Sequence, residues 1–237
     1  VDNSTATVLG RITRLTIWSL YAQFAISIVS LISHIMEWRL LEDMEAGRFA
    51  DEDTMMRAAD GNDLRQLVIA WIEIGIFIVS AILIMRWIYN ATRNVRALGA
   101  TGMAITPGWS VGWFFVPFAN LVMPYRAMSE LWRASASPSR WNTEEAPPLL
   151  PWWWFSLLVS GWLAQAAFRY SRKAETIDAM QTVGILSMLS NVAGLLALLA
   201  LIRIIQRVFA MQASVTTSGL DRPEDEVLSD PPEPLAS

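Results

Sequence analysis

The stretch Pro107-Gly-Trp-Ser-Val-Gly-Trp-Phe-Phe-Val-Pro117-Phe-Ala-Asn120-Leu-Val-Met-Pro124-Tyr-Arg126 decides how the rest of the chain is read. It is apolar enough for a bilayer, yet its core is only about 15 residues long, against the ~20 that a helix needs to cross about 30 Å of hydrocarbon. Proline removes a backbone donor and breaks helices, and in lipid each unpaired backbone group costs several kcal/mol. A bend at membrane depth is therefore stable only where other protein shelters it or where it lines a polar cavity. Residues 109–123 are predicted to enter the bilayer and turn back, with Pro107, Pro117 and Pro124 shaping the bend and the neighbouring spans packed around it.

Working outward, the composition fits that reading. Of 237 residues 54% are apolar and 17% charged, with 12 Trp and a mean hydropathy of +0.36. Long uncharged runs separated by polar segments predict an all-α, polytopic integral membrane protein. Four transmembrane helices are expected, over about residues 15–36, 67–88, 152–168 and 183–202, surrounding the re-entrant segment in a single membrane domain, residues 1–212. The first run is too long for a signal-peptide core and has no small-residue cleavage site behind it, so it is read as retained. With no Cys in the chain, disulfides and thiolate chemistry are excluded. The net charge of −4 sits largely in one loop and the C-terminal tail, which argues against a nucleic-acid partner.

Within the first span Gln23, Ser27, Ser30 and His34 recur at helical spacing and share one face. Such a stripe either packs against neighbouring helices or lines a site. His34, the sole histidine, has no second His or carboxylate at ligand spacing beside it and reads as a wet interfacial residue. Residues 37–66 carry nine acids against four arginines and are expected to form a solvated acidic loop, with turns at Asp51-Glu-Asp and Asp60-Gly-Asn-Asp63, the latter capping the next helix. The alternating spacing of a calcium loop is missing.

In the second span Glu73 shares a face with Gln66 and Ser80, roughly 10 Å below the boundary at 1.5 Å per residue. An ionisable group at that depth costs about 3 kcal/mol or more and should face the bundle interior. Two readings stand: a proton or cation site, or a neutral acid hydrogen-bonded to Ser30, Ser27 or the re-entrant backbone. Gly99 reads as a helix C-cap. Residues 125–134 predict an interfacial helix, with Tyr125, Met128, Leu131 and Trp132 on one side and Arg126, Glu130 and Arg133 on the other, Glu130 spaced to pair with both arginines. Trp152-Trp153-Trp154 anchors the third span at an interface. Gly184, Ser187, Asn191 and Gly194 give the last span a stripe suited to close approach. Residues 213–237 are acidic and proline-bearing and are expected to be disordered.

Positive charge sets the expected orientation. If the central segment re-enters, Arg11, Arg14, Arg86, Arg93, Arg96, Arg126, Arg133, Arg140, Arg203, Arg207 and Arg222 share one side, 11 of the 18 Lys and Arg. If it crosses, that share falls. Re-entry with both termini cytoplasmic is the arrangement the positive-inside rule favours, although it leaves Arg169, Arg172 and Lys173 outside.

The pattern Arg86-Trp87 … Asn94 … Ala97-Leu-Gly99 … Pro107-Gly-Trp109 … Trp113-Phe-Phe-Val-Pro117-Phe-Ala-Asn120-Leu … Pro124-Tyr … Glu130-Leu-Trp132-Arg133-Ala-Ser135, closed by Arg203 … Arg207 … Gln212, resembles a family of bacterial multi-span membrane proteins known only as a domain of unknown function. Its members share a Trp-x-x-x-x-x-Asn segment and a Trp-Phe-x-Pro-x-x-Asn-Leu-x-x-Pro core. The resemblance covers roughly residues 65–212 and implies a location in the bacterial cytoplasmic (inner) membrane. It carries no activity, substrate or catalytic residue with it.

No catalytic, cofactor-binding or metal-ligating motif stands in the chain. The candidate polar site is intramembrane: Glu73, Ser80, Gln66, Ser30, Ser27, Asn120 and Asn191. Two functions are weighed. One is a non-enzymatic accessory or scaffolding subunit that contacts the lipid bilayer and other membrane-protein subunits. The other is a small channel or transporter that uses the re-entrant segment and Glu73.

Overall fold

The computed structural model describes residues 3–220, and among these there is helix but no strand. Helix α1 is Asn3–Glu45, α2 Glu52–Ala97, α3 Pro107–Gly112, α4 Met123–Ala136, α5 Leu149–Ser171 and α6 Ile177–Leu220. Short 3₁₀ turns lie at Trp113–Phe115, Ala119–Leu121 and Pro138–Thr143. Among the described residues α1, α2 and α6 are long and apolar enough to cross a membrane. The outer faces of α1 and α2 carry bare Trp18 and Trp71, both more than 60% exposed. An apolar surface on that scale belongs in lipid, and the protein is a membrane protein.

The long helices outrun their apolar stretches, and two expectations change as a result. The acid-rich segment 37–66 is not a loop, since only residues 46–51 lie outside helices. Asp51, in extended conformation, caps α2 by accepting the Thr54 N–H at 2.7 Å, and Glu52 and Asp53 follow in the first turn, against the positive end of the helix. The cap expected at Asp60–Asp63 is helix interior. Similarly α6 continues through residues 213–220, where disorder was expected; residues 221–237 of that tail lie outside the described residues.

Side-chain contacts fix the direction of each helix. At one end Trp87 Nε1 donates to Thr13 Oγ1 at 3.1 Å, Gly10 lies against the Phe209 ring, and Asn94 Nδ2 donates to Gln212 Oε1 at 2.8 Å. At the other end Gln66 Nε2 donates to Glu37 Oε2 at 2.9 Å and Gln181 Nε2 to Glu45 Oε2 at 3.3 Å. Helices α1, α2, α5 and α6 thus alternate in direction. They stand in the order α2, α1, α6, α5, with α2 and α5 packed on the central pair and hardly on each other.

Because α2 ends where α5 begins, residues 98–148 leave and return at one end of the bundle. The proline-rich stretch within them is a chain of short turns, not a straight helix. Its centre is a γ-turn in the rarer positive-φ form: Phe118 has φ 63°, and the Ala119 N–H reaches the Pro117 carbonyl at 2.7 Å. Trp154 Nε1 pins the following turn by donating to the Leu121 carbonyl at 2.8 Å.

This end of the bundle holds the closed core, with Leu20, Trp87, Ile88, Val95, Met128, Leu131, Leu150, Ile204, Ile205 and Val208 at 2% exposure or less. Gln212 is buried among them and donates to the Ala91 carbonyl and Ser135 Oγ while accepting from Asn94. Glu130 departs from its expected pairing. It is 5% exposed and accepts the Ile105 N–H at 3.3 Å, while Arg96 holds the Met103 and Ile105 carbonyls, so the two side chains clasp the connection after α2. Arg133 lies over the Trp141 ring instead, 5.5 Å from its centroid.

Candidate functional site

The helical repeat that stacks residues three and four apart gives each long helix one small or polar stripe, and the four stripes converge. Gln23, Ser27, Ser30 and His34 come from α1, Glu73 and Ser80 from α2, Ser160 and Ala164 from α5, and Ser187, Ser190, Asn191 and Gly194 from α6. Together they line a cavity of about 820 Å³. Its floor is the α1–α6 pair. Ile74 and Phe77 on α2 and Leu157 and Phe168 on α5 line it yet remain 40% to 63% exposed. The cavity is therefore a groove open sideways between α2 and α5. Towards the closed core it ends against Leu20, Ile88, Phe114, Trp153 and Leu201, and it is blind there.

Polar contacts bind its walls. Ser30 on α1 and Glu73 on α2 both face the groove, and Ser80 Oγ donates to the Ser19 carbonyl at 3.3 Å. Ser160 and Ser190 clasp α5 to α6, each hydroxyl donating to the other's carbonyl at 2.9 Å. Gly194 permits that approach, for a Cβ there would stand 3.2 Å from Ser160 Oγ. At the far end His34, expected to have no carboxylate beside it, has its Nδ1 3.4 Å from Oε2 of Glu37, one helical turn on, the oxygen that also accepts from Gln66. Gln23 Oε1 and Asn191 Oδ1 are buried and find no partner within the protein.

The structure brings Ser27, Ser30, Glu73, Ser80 and Asn191 to one groove. Gln66 stands outside its lining, tied to Glu37. Asn120 is elsewhere: it is exposed in the 3₁₀ turn after Phe118, its N–H bonded to the Val116 carbonyl. Pro107 opens α3 behind a Thr106 cap, Pro124 is buried at the start of α4, and Pro117 is exposed beside the γ-turn. Sequence reasoning passed over Ser160, Ser190 and Phe114. The available signal was Ser160 at four and seven residues before Ala164 and Ala167, a small-residue stripe like that of α6. Among the described residues no group of three or more His, Asp or Glu side chains converges as metal ligands do.

A family model described as a domain of unknown function, DUF4328, matches residues 50–210. That is more than half of the chain, which belongs to this family. The match takes in α2 to most of α6 and leaves the α1 wall of the groove outside it. No curated protein and no solved structure matches the chain.

Proposed function

We propose that this DUF4328 member is a non-enzymatic accessory protein of the bacterial cytoplasmic membrane, one that works by holding a membrane-resident partner in its groove. The groove itself carries the reading. Four helices each turn a polar stripe towards a common opening on the side of the bundle, where a molecule already in the bilayer would arrive.

In this proposal the protein has four spans, with α5 as the fourth. Its 23 residues amount to about 34 Å of helix, enough for the hydrocarbon layer. Residues 109–123 form a re-entrant cap over the blind end, which the return of residues 98–148 to one end of the bundle supports. Both termini are cytoplasmic, the arrangement that keeps 11 of the 18 Lys and Arg inside.

The second reading, a small channel or transporter using Glu73 and the re-entrant segment, rests on the carboxyl in the groove. The blind end and the distance of Asn120 from the groove weigh against it. Purification from native membranes tests the first reading: a component that copurifies with wild type should be lost from Ala164→Trp, which fills the groove from its α5 wall. Proton and ion flux in liposomes tests the second. Equal inertness of wild type and Glu73→Gln removes transport, and Glu73-dependent flux removes the accessory reading.

A further inference from the structure

We infer that copies of this chain associate side by side in the membrane, the basic edge of α5 in one copy against the acidic edge of α2 in the next. The inference concerns the two outer edges of the bundle and does not depend on what the groove holds.

The row α2, α1, α6, α5 has two ends, and they differ. On α2, Asp60, Leu64, Leu67, Trp71 and Ile78 recur at spacings of four, three, four and seven, so they share one face, and all are exposed. Asp63 stands exposed beside them. On α5, Phe155, Trp162 and Arg169 recur at a spacing of seven and are exposed, with Arg172 and Lys173 following at the end of the helix. The side chains that tie α2 to α1, Ser80 and Trp87, and α5 to α6, Ser160, lie on other faces. Each edge is thus an apolar ridge that ends in charge, and the two signs are opposite.

The charged ends stand at one height. Arg65 bonds Ser33, Gly184 lies against Trp38, and Ser160 pairs with Ser190. Stepping from these pairs along antiparallel helices at about 1.5 Å per residue puts Asp60, Trp38, Gly184 and Ala166 at roughly one level, with Arg169 less than a turn beyond. Among the described residues the ion pairs are His34 with Glu37 and Arg48 with Asp43, so neither edge finds its counter-charge within the chain. Arg65 is turned inward to Ser33 and Asn62, and Arg57 reaches Thr54. Glu175 and Asp178 come after the end of α5. Arg169, Arg172 and Lys173, with Ala166 and Tyr170, ring a surface hollow of about 620 Å³, a concave seat for a carboxylate.

Charge selects the occupant. Copies inserted in one direction meet by rotation about the membrane normal. Setting α2 on α2 brings acid to acid, and α5 on α5 brings cation to cation, both costly at contact. Setting α5 on α2 brings Arg169 and Lys173 to Asp60 and Asp63 and lays Trp162 along Leu67 and Trp71. An anionic headgroup would answer the cations alone, whereas a second copy answers both edges in one contact. That contact is head-to-tail, so copies close into a ring or extend as a row. Exposed ion pairs are individually weak, so here they choose partner and register while helix packing supplies the contact.

The test uses two differently tagged full-length copies in one membrane, one carrying Leu64→Cys and the other Ala166→Cys, in a chain with no cysteine of its own. Mild oxidation should give the mixed-tag disulfide roughly fivefold or more above either same-tag product. Asp60→Lys with Asp63→Lys in the first copy, or Arg169→Glu with Lys173→Glu in the second, should cut it by a similar factor. The two reversals together should restore it, which a folding defect in either copy would not allow.

Dominant same-tag products, mixed product indifferent to both reversals, or loss without restoration overturns the inference. So does a chain that stays uncrosslinked in phosphatidylcholine vesicles and, in vesicles containing phosphatidylglycerol, only binds that lipid through Arg169 and Lys173. Mixed product that forms in phosphatidylcholine alone and follows the charge reversals upholds it.

Discussion

Gln212 shows at the residue scale what fixes the closed end of the bundle. Its amide joins α6 to α2 and α4 through Asn94, the Ala91 carbonyl and Ser135, in a site with 1% exposure. Gln212→Leu strands these partners, each at about 1–3 kcal/mol. We expect the melting temperature in detergent to fall by several degrees, and Asn94→Ala on top of it to cost less than it does alone. Asn94, Ser135 and Gln212 all stand in the pattern that carried the family resemblance, but a linear pattern does not say that residues 118 apart touch.

Asp51 gives a pH-dependent case. Hydrogen bonds from the Thr54 hydroxyl and N–H hold its carboxyl below the ordinary 3.8. A depressed folded-state value means that the cap is fully effective above the unfolded value and is lost as pH falls through the folded one. Amide exchange over residues 52–55 should therefore quicken in Asp51→Ala at neutral pH. In wild type, protection relative to that variant should be lost as pH falls below the ordinary carboxylate range.

At the scale of elements, hydropathy made the long helices legible but not their ends. Asp51-Glu-Asp and Asp60-Gly-Asn-Asp63 are both plausible caps by residue type. Only the first is preceded by non-helical chain; Asp60–Asp63 lie inside α2, where Gly61 is tolerated at a cost of about 1 kcal/mol. The pairing of Glu130 with arginines was equally plausible by spacing, but spacing cannot see that residues 103–105 fold over the acid and supply an N–H.

The break at Pro117 was legible, and its form was not. Phe118 sits in a strained conformation, at φ 63°, while 86% exposed. Glycine would relieve about 1–3 kcal/mol of strain and return part of it as unfolded-chain entropy. Phe118→Gly should raise the melting temperature by a few degrees in detergent, where its ring has no bilayer to enter. Gly194→Leu should act in the opposite direction, since the Ser160–Ser190 clasp leaves no room for a side chain. Loss of detergent-stable α5–α6 packing, read as faster proteolysis after α5, is the expected sign.

For the whole molecule, the proposed four-span topology can be checked against an unusually clean background, because the chain has no cysteine of its own. A single Cys placed at Ala104 or Asn142 lies on the connection that leaves and returns at the end shared by both termini. One at Ala50 or Ala174 lies in the opposite turns, after α1 and α5. If residues 109–123 cap the groove and turn back, membrane-impermeant thiol reagents should reach Ala104→Cys and Asn142→Cys only from the cytoplasmic face. They should reach Ala50→Cys and Ala174→Cys only from outside. A crossing segment would put positions 104 and 142 on opposite sides, and it would move Arg126, Arg133 and Arg140 outward against the positive-inside bias. It would also pull Leu121 from Trp154 and Ser135 from Gln212, contacts that join the connection to α5 and α6. The groove keeps its blind end only while those contacts hold, so opposite-face labelling of 104 and 142 would remove the cap and, with it, the enclosed site on which the binding reading stands.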